Sequence, residues 1–477
     1  MSESARAHFA LPLVEPLDLS LSPVQAFRRL CALPHVLFCD SAMRHRTLGR
    51  YSFVAADPAR WIEVQADLAA GFAQFAAEAA PVVNDTAQPG LPPFQGGWAG
   101  LFGYELAGAF EQVPPAAINE FQIPRLAVGL YDVVVAFDHQ TDRAWLISQG
   151  YPERDPAARA ERASARMHSF RAALDSPSPN NTSNHPPTLA YHINDLAPQH
   201  SLPGHRQLTS NFSADGYRQA VQRTIDYIYA GDVFQVNLSQ RLLHAATTDP
   251  VELYCRLRQR NPAPFAGFLD GGTWQLASAS PERFVRIASR CVETRPIKGT
   301  RGRAQRPEAD LFAGDDLRAS EKDRAENIMI VDLLRNDLSR TCLPESVRVS
   351  QLCGLETYEY VQHLVSVVEG TLRPELSPLD VLRTAFPGGS ITGAPKIRAM
   401  EIIAELEPTV RGPYCGALGY IGPGGHMDSS ILIRSITNSH GWWQLPVGGG
   451  IVAQSNPQQE YEETWHKAAG LLQALVT

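Results

Sequence analysis

A run of proline, asparagine and serine near the middle of the chain divides the sequence in two. Residues 175–187 read DSPSPNNTSNHPP. Because proline fixes φ and lacks an N–H, such a run can hold neither a helix nor a central strand. We therefore predict a linker over residues 175–212, between an N-terminal region at 1–174 and a second region at 213–475. A chain of 477 residues is long enough for two or more packed units.

Hydrophobic periodicity on both sides of this break mixes helices with strand hairpins, which predicts an α+β fold with mainly antiparallel sheets. Glycines at residues 96–103 indicate a tight backbone crossing beside strands. The predicted helices cover residues 157–174, 215–230 and 325–338, and the predicted strands cover 133–137, 144–147, 233–239, 418–421 and 431–436, the last two joined by a turn at 422–425.

Charge and composition exclude several classes of function. The net charge is −8 and the sequence has no long basic run, so we expect no nucleic-acid partner. No stretch reaches the roughly 20 apolar residues that span a bilayer, and the first residues lack the pattern of a signal peptide. We expect a cytoplasmic protein. Seven scattered cysteines indicate inert thiols, with neither a disulfide framework nor a zinc site.

Lys298 lies between a proline and a glycine in residues 294–301, which read TRPIKGTR. We expect a rigid turn there, on which the amine is aimed at a ligand. A lysine that is desolvated or held near other cations can act as a nucleophile. When Lys298 is considered without other motifs, the alternative is that it is an ordinary solvated surface charge.

Two pairs of acids share the spacing i, i+3. They are Asp323 with Glu326, at a predicted helix start, and Glu460 with Glu463. On a helix each pair points its carboxylates to one side, where they can hold Mg²⁺, a cation that takes oxygen ligands. Two solvated acidic faces would have the same spacing.

Other polar or glycine positions are candidates for substrate contact. The glycines at 448–450 allow backbone N–H groups to approach an anion, although a plain tight turn would look the same. Arg434, within a predicted strand, can bind a carboxylate through two hydrogen bonds or form a structural ion pair. His363 fits either a core histidine or a ligand contact.

Five motifs together resemble the chorismate-utilising enzymes, in that family's order and over about residues 213–475. The fold this implies is two mainly antiparallel β-sheets packed together with flanking helices. The N-terminal region resembles the family more loosely. The motifs are residues 280–284 (SPERF), 295–300 (RPIKGT), 323–338 (DRAENIMIVDLLRNDL), 386–396 (FPGGSITGAPK), and the triple glycine with Glu460 and Glu463.

Within the family, Lys298 distinguishes two branches. Aminodeoxychorismate synthases carry PIKGT, whereas anthranilate synthases carry alanine at this lysine. The water-using relatives have a lysine base where this chain has Gln235. The resemblance therefore implies amination of chorismate at C4, on the route to 4-aminobenzoate and folate. Anthranilate synthase component I and an idle, tryptophan-binding relative are the alternatives.

The resemblance also implies roles for individual residues. Lys298 would be the nucleophile and Glu282 the general acid. Mg²⁺ would be held by Glu326 and Glu463, with Asp323 and Glu460 around it. The chain lacks a glutaminase signature, so ammonia would come from a separate glutamine amidotransferase subunit. Implied substrate contacts are His363, Thr392, Gly393, Tyr420, Arg434, Gly449, Gly450 and Lys467.

A pocket for an indole amino acid is a further expectation from the resemblance. Residues 38–41 read FCDS in place of the LLES of anthranilate synthases, which argues against feedback control by tryptophan. L-tryptophan would then bind as a structural ligand. The residues implied are Ser41, Arg50, Tyr51, Pro264, Phe265 and Ala266.

Overall fold

The computed structural model describes residues 11–43, 48–114, 116–177, 189–202, 204–303, 307–358 and 361–476. Much of the predicted linker, residues 178–188 and residue 203, lies outside the described residues.

The strands of the N-terminal part and of the segment after it are numbered in chain order. They are β1 (Leu13–Leu17), β2 (Leu37–Asp40), β3 (Tyr51–Ala55), β4 (Arg60–Val64), β5 (Gly97–Phe102), β6 (Leu126–Tyr131), β7 (Val133–Asp138), β8 (Arg143–Ser148), β9 (His200–Leu202) and β10 (His205–Ser210). The following strands are β11 (Gln235–Ala245), β12 (Phe265–Asp270), β13 (Trp274–Ser280), β14 (Arg283–Ala288), β15 (Cys291–Thr294), β16 (Ile297–Gly302), β17 (Arg348–Thr357) and β18 (Val361–Thr371). The last are β19 (Gly393–Ala394), β20 (Ala417–Ile421), β21 (Met427–Ile431), β22 (Ser435–Ser439) and β23 (Trp442–Ile451).

The α-helices are numbered in the same way. They are α1 (Pro23–Leu30), α2 (Leu68–Val83), α3 (Pro156–Asp175), α4 (Ala214–Tyr229), α5 (Pro250–Arg260), α6 (Pro307–Ala319), α7 (Glu321–Ser339), α8 (Pro378–Ala385), α9 (Lys396–Leu406) and α10 (Pro457–Leu475).

Two antiparallel sheets pack face to face, which confirms the predicted fold class. Within the described residues, the long sheet has 13 strands, in the order β1-β8-β7-β3-β2-β12-β13-β22-β23-β11-β10-β9 with β19 beside β11. The short sheet has 10, in the order β16-β18-β15-β14-β21-β20-β5-β6-β4 with β17 beside β18. Both sheets contain strands from before and after the predicted linker. The core between them includes Phe53, Leu101, Leu276 and Leu418.

Helices cover the outer faces of both sheets. Against the long sheet, Phe27, Phe170 and Leu253 of α1, α3 and α5 share one core with α10. Against the short sheet, α2, α7, α8 and α9 bury another. Apolar residues then lie on both sides of each sheet, so β7 is buried along its whole length.

Capping residues determine where the two helices that carry the acid pairs begin. Ser320 caps α7 by accepting from the backbone N–H of Asp323, and Asn456 caps α10 with Pro457 at its first position. Such caps satisfy N–H groups that lack partners in the first turn. The acids at 323 and 460 therefore lie in first turns, where a carboxylate also favours the positive end of the helix dipole.

Most predicted elements are confirmed, with local differences. Inside the predicted linker, residues 205–210 pair with the edge of β11, and residues 200–202 add the outermost strand beside them. The glycine-dense segment at 97–102 is itself a strand, β5. The predicted strand at 431–436 is wrong in its bounds: β21 ends at Ile431, and β22 begins at Ser435 in the other sheet.

All seven cysteines fall within the described residues and are free thiols. In the part of the chain that the structure covers, no helix is long and apolar enough to cross a membrane.

Candidate active site

A cavity of about 690 Å³ lies where β11, β16 and β23 meet α7 and α10. Both sheets therefore contribute to one space, with both acids of the first predicted pair and Glu463 of the second, while Glu460 is buried behind the wall and accepts from Ser455. The predicted residues that line it are Lys298, Glu282, Asp323, Glu326, Glu463, His363, Arg434, Gly449, Gly450, Lys467 and Pro264.

Lys298 enters this cavity from a strand, not from the predicted turn. It lies on β16, paired with Leu364 of β18, and a bulge follows it at Gly299, whose φ is 72°. Its Nζ donates to the backbone carbonyl of Ser390 at 3.4 Å. Burial, aided by the charge of Lys467, lowers the pKa of the Lys298 amine despite the carboxylates around it. A lowered pKa increases the neutral, nucleophilic fraction.

Glu282 lies in the short connection between β13 and β14 and is only 5% exposed. Burial raises the pKa of its carboxyl to about 7, although Ser390, Lys298 and the N–H of Ile297 act in the opposite direction. A carboxyl with this pKa is still partly protonated at neutral pH and can donate a proton.

The two acid pairs face one another across the cavity wall, with lysines between them. The ammonium of Lys322 lies 4.0 Å from Glu326 and 3.9 Å from Glu460. Lys467 forms a 2.6 Å ion pair with Glu463. Burial and neighbouring acids raise the pKa of Glu326 and of Glu460. The Glu463 pKa is lowered, because the attraction of Lys467 outweighs burial.

These carboxylates suit Mg²⁺ by their chemistry. Lys322 holds a positive charge between Glu326 and Glu460, which is where a cation would reduce their repulsion. Among the described residues, however, no three His, Cys, Asp or Glu side chains form a ready metal cage. Mg²⁺ is usually bound by one or two carboxylates together with waters and substrate oxygens, so a complete protein cage is not required.

The glycines at 448–450 form part of strand β23, not a turn. They pair with Ser239, Leu238 and Asn237 of β11. A side chain at Gly449 would come within 3.3 Å of Glu460 Oε2 and 3.4 Å of Lys467 Nζ. The missing side chains therefore leave room beside the acids.

Arg434 reaches the cavity from outside regular structure, so its predicted place within a strand is wrong. It lies where the chain crosses from β21 to β22, with φ 52°, and its guanidinium donates to the Lys467 carbonyl at 3.1 Å. His363 is buried on the neighbouring wall. Burial and the charge of Arg434 lower the pKa of His363 to about 4, which keeps the imidazole neutral.

Three predicted substrate contacts are not among the lining residues. Tyr420 packs between the sheets, its ring 4.6 Å from Phe94, because an aromatic side chain on β20 faces the core. Thr392 is fully buried and donates to the Gly388 carbonyl at 3.0 Å. Gly393 pairs with Val236, and a side chain there would strike the Gln235 carbonyl.

The residues expected to bind tryptophan lie on strands β3 and β12 or directly beside the ends of β2, β3 and β12. The Ser41 hydroxyl donates to the Tyr51 carbonyl at 2.6 Å, and Ala266 pairs with Asp40. Arg50 forms an ion pair with Asp138 and lies over the Tyr51 ring. Phe265 packs under the Arg283 guanidinium, 4.8 Å from it.

Three residues without a predicted role complete the wall. Ser390 lies in the turn Gly389–Ile391, and Tyr414 and Arg411 line the same cavity. Arg411 is 3% exposed at its side chain, pairs with Glu407, and donates to the carbonyls of Ile391 and Asn237. Glu407 and Arg411 are four residues apart, a spacing that predicts an ion pair only when both residues lie on one helix. Because α9 ends at Leu406, this spacing could not have predicted their contact.

Comparison with known proteins gives consistent matches. The family model described as chorismate binding enzyme matches residues 36–473. Anthranilate synthase component 1 of Streptomyces coelicolor is 41% identical over 99% of this chain and 90% of that protein. Aminodeoxychorismate synthase component 1 of Salmonella typhimurium is 41% identical over 80% and 77%. The crystal structure of anthranilate synthase component I from Streptococcus pneumoniae superposes with a TM-score of 0.72 at 32% identity, covering 88% of this chain and 92% of that one.

Proposed function

Because the chain belongs to the chorismate-binding enzymes, we propose that it aminates chorismate at C4 to give 4-amino-4-deoxychorismate. The observation that carries this proposal is the Lys298 amine. It lines the cavity, has a lowered pKa, and shares the contact residue Ser390 with Glu282. In the anthranilate branch an alanine at this position could not act as a nucleophile.

The proposed reaction has two displacements. In the first, Lys298 Nζ bonds to C2, both conjugated double bonds of the ring shift, and the C4–O bond breaks. Glu282 gives its proton to the departing hydroxyl, which leaves as water. In the second, ammonia bonds to C4, both ring double bonds return, and the C2–N bond to Lys298 breaks. A proton from the added ammonia returns to Glu282, so the acid and the lysine amine are both regenerated, and the nitrogen stands at C4 instead of C2.

The remaining lining residues bind and orient the substrate in this proposal. Arg434 and the backbone N–H groups at 448–450 face carboxylate oxygens. Glu326 and Glu463 would hold Mg²⁺, with Asp323 and Glu460 in support. Bound Mg²⁺ would neutralise a substrate carboxylate and fix its position. The neutral imidazole of His363 adds no charge at this wall and can accept or donate one hydrogen bond.

Ammonia would come from a separate glutamine amidotransferase subunit, and the product would lead to 4-aminobenzoate and folate. The second candidate is anthranilate synthesis. It is favoured by the match to the Streptomyces coelicolor anthranilate synthase, which covers 99% of this chain. Lys298 argues against it.

One incubation separates these possibilities. Purified protein is supplied with chorismate, Mg²⁺ and ammonium, and the product is identified by mass and ultraviolet spectrum. We expect 4-amino-4-deoxychorismate, and none from the Lys298→Ala variant. Anthranilate as the product would show the second candidate to be correct. Unchanged chorismate from a folded protein would indicate an idle relative.

A further inference from the structure

A second cavity, of about 300 Å³, lies on the far side of Arg411 from the active-site cavity. It is bounded by the start of α2, by the segment Tyr104–Ala109, and by α9. Its size is at the lower end of ligand pockets, which are roughly 300–1,000 Å³. Its apolar walls are made by Leu68, Ala107, Val113, Met400, Ile403 and Val410.

The charged side chains that line this second cavity differ in the groups that bind them. Glu105 accepts from the backbone N–H groups of Arg411 and Gly412, at 2.7 and 3.0 Å. Glu407 is bound by Arg411. Arg125, by contrast, donates only to the carbonyl and amide oxygens of Gln65, at 3.0 and 3.2 Å.

Arg125 acts on Glu105 through its charge, which lowers the pKa of that carboxyl against the larger effect of burial. The cavity therefore combines apolar walls, two acids whose oxygens are bound by other groups, and an arginine whose side-chain hydrogen bonds go to Gln65 and to no carboxylate of the described residues. This combination suits a flat apolar group that ends in an anion.

The wall shared with the active site is thin. Arg411 lines both cavities, and its guanidinium donates to the Ile391 carbonyl at 3.0 Å and the Asn237 carbonyl at 2.6 Å, both on the substrate side. Both carbonyls and the Glu407 carboxylate hold Arg411 in place. The Arg411 side chain would therefore separate a ligand in the second cavity from the active-site cavity.

We propose that the second cavity binds a one-ring aromatic carboxylate, with the ring between α2 and α9 and the carboxylate on Arg125. The contact is a charge-assisted hydrogen bond, which Arg can make with two parallel N–H groups. This site is independent of the amination reaction and needs no catalysis to be observed.

Benzoate is a suitable probe, and equilibrium dialysis with labelled benzoate measures its binding to the full chain. We expect saturable binding that excess chorismate does not displace. Arg125→Gln should weaken it by at least about tenfold, the effect of losing a charged hydrogen bond. Ala404→Phe, which fills the cavity from the half-exposed side of α9, should abolish it.

Matched controls keep the test decisive. Arg318→Gln, at an exposed arginine of α6, and Arg434→Gln, in the active-site cavity, should leave benzoate binding unchanged. Benzamide, which has no charge, should bind the unaltered protein at least about tenfold more weakly. This comparison of two ligands does not depend on whether a variant folds.

Absence of saturable benzoate binding, displacement of benzoate by chorismate, or loss of binding in Arg434→Gln but not in Arg125→Gln would overturn the proposal. Since no product is measured, these outcomes do not depend on which amination the enzyme performs.

Discussion

Lys298 and Ser390 are joined by a hydrogen bond of 3.4 Å from the lysine Nζ to the serine carbonyl. The contact links an edge strand of the short sheet to the turn before β19 and α9. The Ser390 hydroxyl also acts on the pKa of Glu282. Ser390 therefore lies beside both the proposed nucleophile and the proposed acid, although 92 positions separate it from Lys298 in sequence.

Replacing Lys298 should remove C4 amination. Lys298→Ala has no nucleophile, and the guanidinium of Lys298→Arg stays protonated, so both variants should lose product formation. Chorismate without ammonia should leave a covalent adduct on Lys298, detectable by mass spectrometry of the digested protein. Lys322→Ala, at an exposed lysine of the same cavity, should still form the adduct. C4 amination at the unaltered rate by Lys298→Ala would disprove the covalent step.

The raised pKa of Glu282 should be visible in stability as well as in activity. The folded pKa is about 7 against an ordinary 4.5, so the folded protein binds the proton more tightly. This contribution is present below pH 4.5 and is lost as pH rises through 7. Relative to Glu282→Gln, the unaltered protein should lose roughly 3 kcal/mol of unfolding free energy between pH 4 and pH 8.

Urea unfolding of both proteins at the two pH values measures this difference. A pH-independent difference between them would mean that Glu282 is not buried as a neutral acid. Activity of the unaltered enzyme should fall above pH 7, as the acid loses its proton.

Removing either principal carboxylate should abolish activity without unfolding the protein. In the proposed function, Glu326→Gln and Glu463→Gln would each remove a ligand for Mg²⁺ and leave the substrate carboxylate uncompensated. Turnover across a Mg²⁺ titration, with thermal unfolding to verify the fold, is the measurement. Asp332→Asn is the matched control, since it lies exposed on the same helix α7. Near-normal turnover of both glutamine variants at saturating Mg²⁺ would argue against a metal role.

The Glu407–Arg411 pair should be important for stability. Both side chains are less than 5% exposed. Arg411→Met leaves a buried carboxylate without its cation and should cost about 3–5 kcal/mol, whereas the double variant with Glu407→Met should lose less. On α9, the more exposed pair Arg398–Glu401 provides the control, and Arg398→Met should cost at most about 1 kcal/mol. Equal losses for Arg398→Met and Arg411→Met in urea unfolding would contradict this assignment.

Tryptophan is expected to bind near Ser41 as a structural ligand. Three strands bring the predicted residues together, and a ligand that binds only the folded state raises the melting temperature. Millimolar L-tryptophan should therefore raise it by a few degrees, and Ser41→Trp, which would crowd the strand ends, should remove the shift. No shift with the unaltered protein would count against the pocket.

Prediction from sequence succeeded where the signal is local. Hydrophobic spacing located α4 and α7 to within a few residues, because each helix buries one face whatever it packs against, and alanine- and arginine-rich composition located α3. The i, i+3 spacing of Asp323 with Glu326 likewise has a definite meaning on any helix. Arg434 and the strand predicted at 431–436 were misplaced, and β9 and β10 were missed inside the predicted linker, because which sheet a segment joins depends on partners distant in sequence.

The sequence by itself determined the residue chemistry of this protein: a lysine in PIKGT, paired acids on two helices, and a triple glycine without side chains. Only the tertiary structure decided that these meet in one cavity. Burial there lowers the pKa of Lys298 and raises that of Glu282. Those shifts require desolvation by strands and helices from the whole length of the chain, and no local run of residues can provide it.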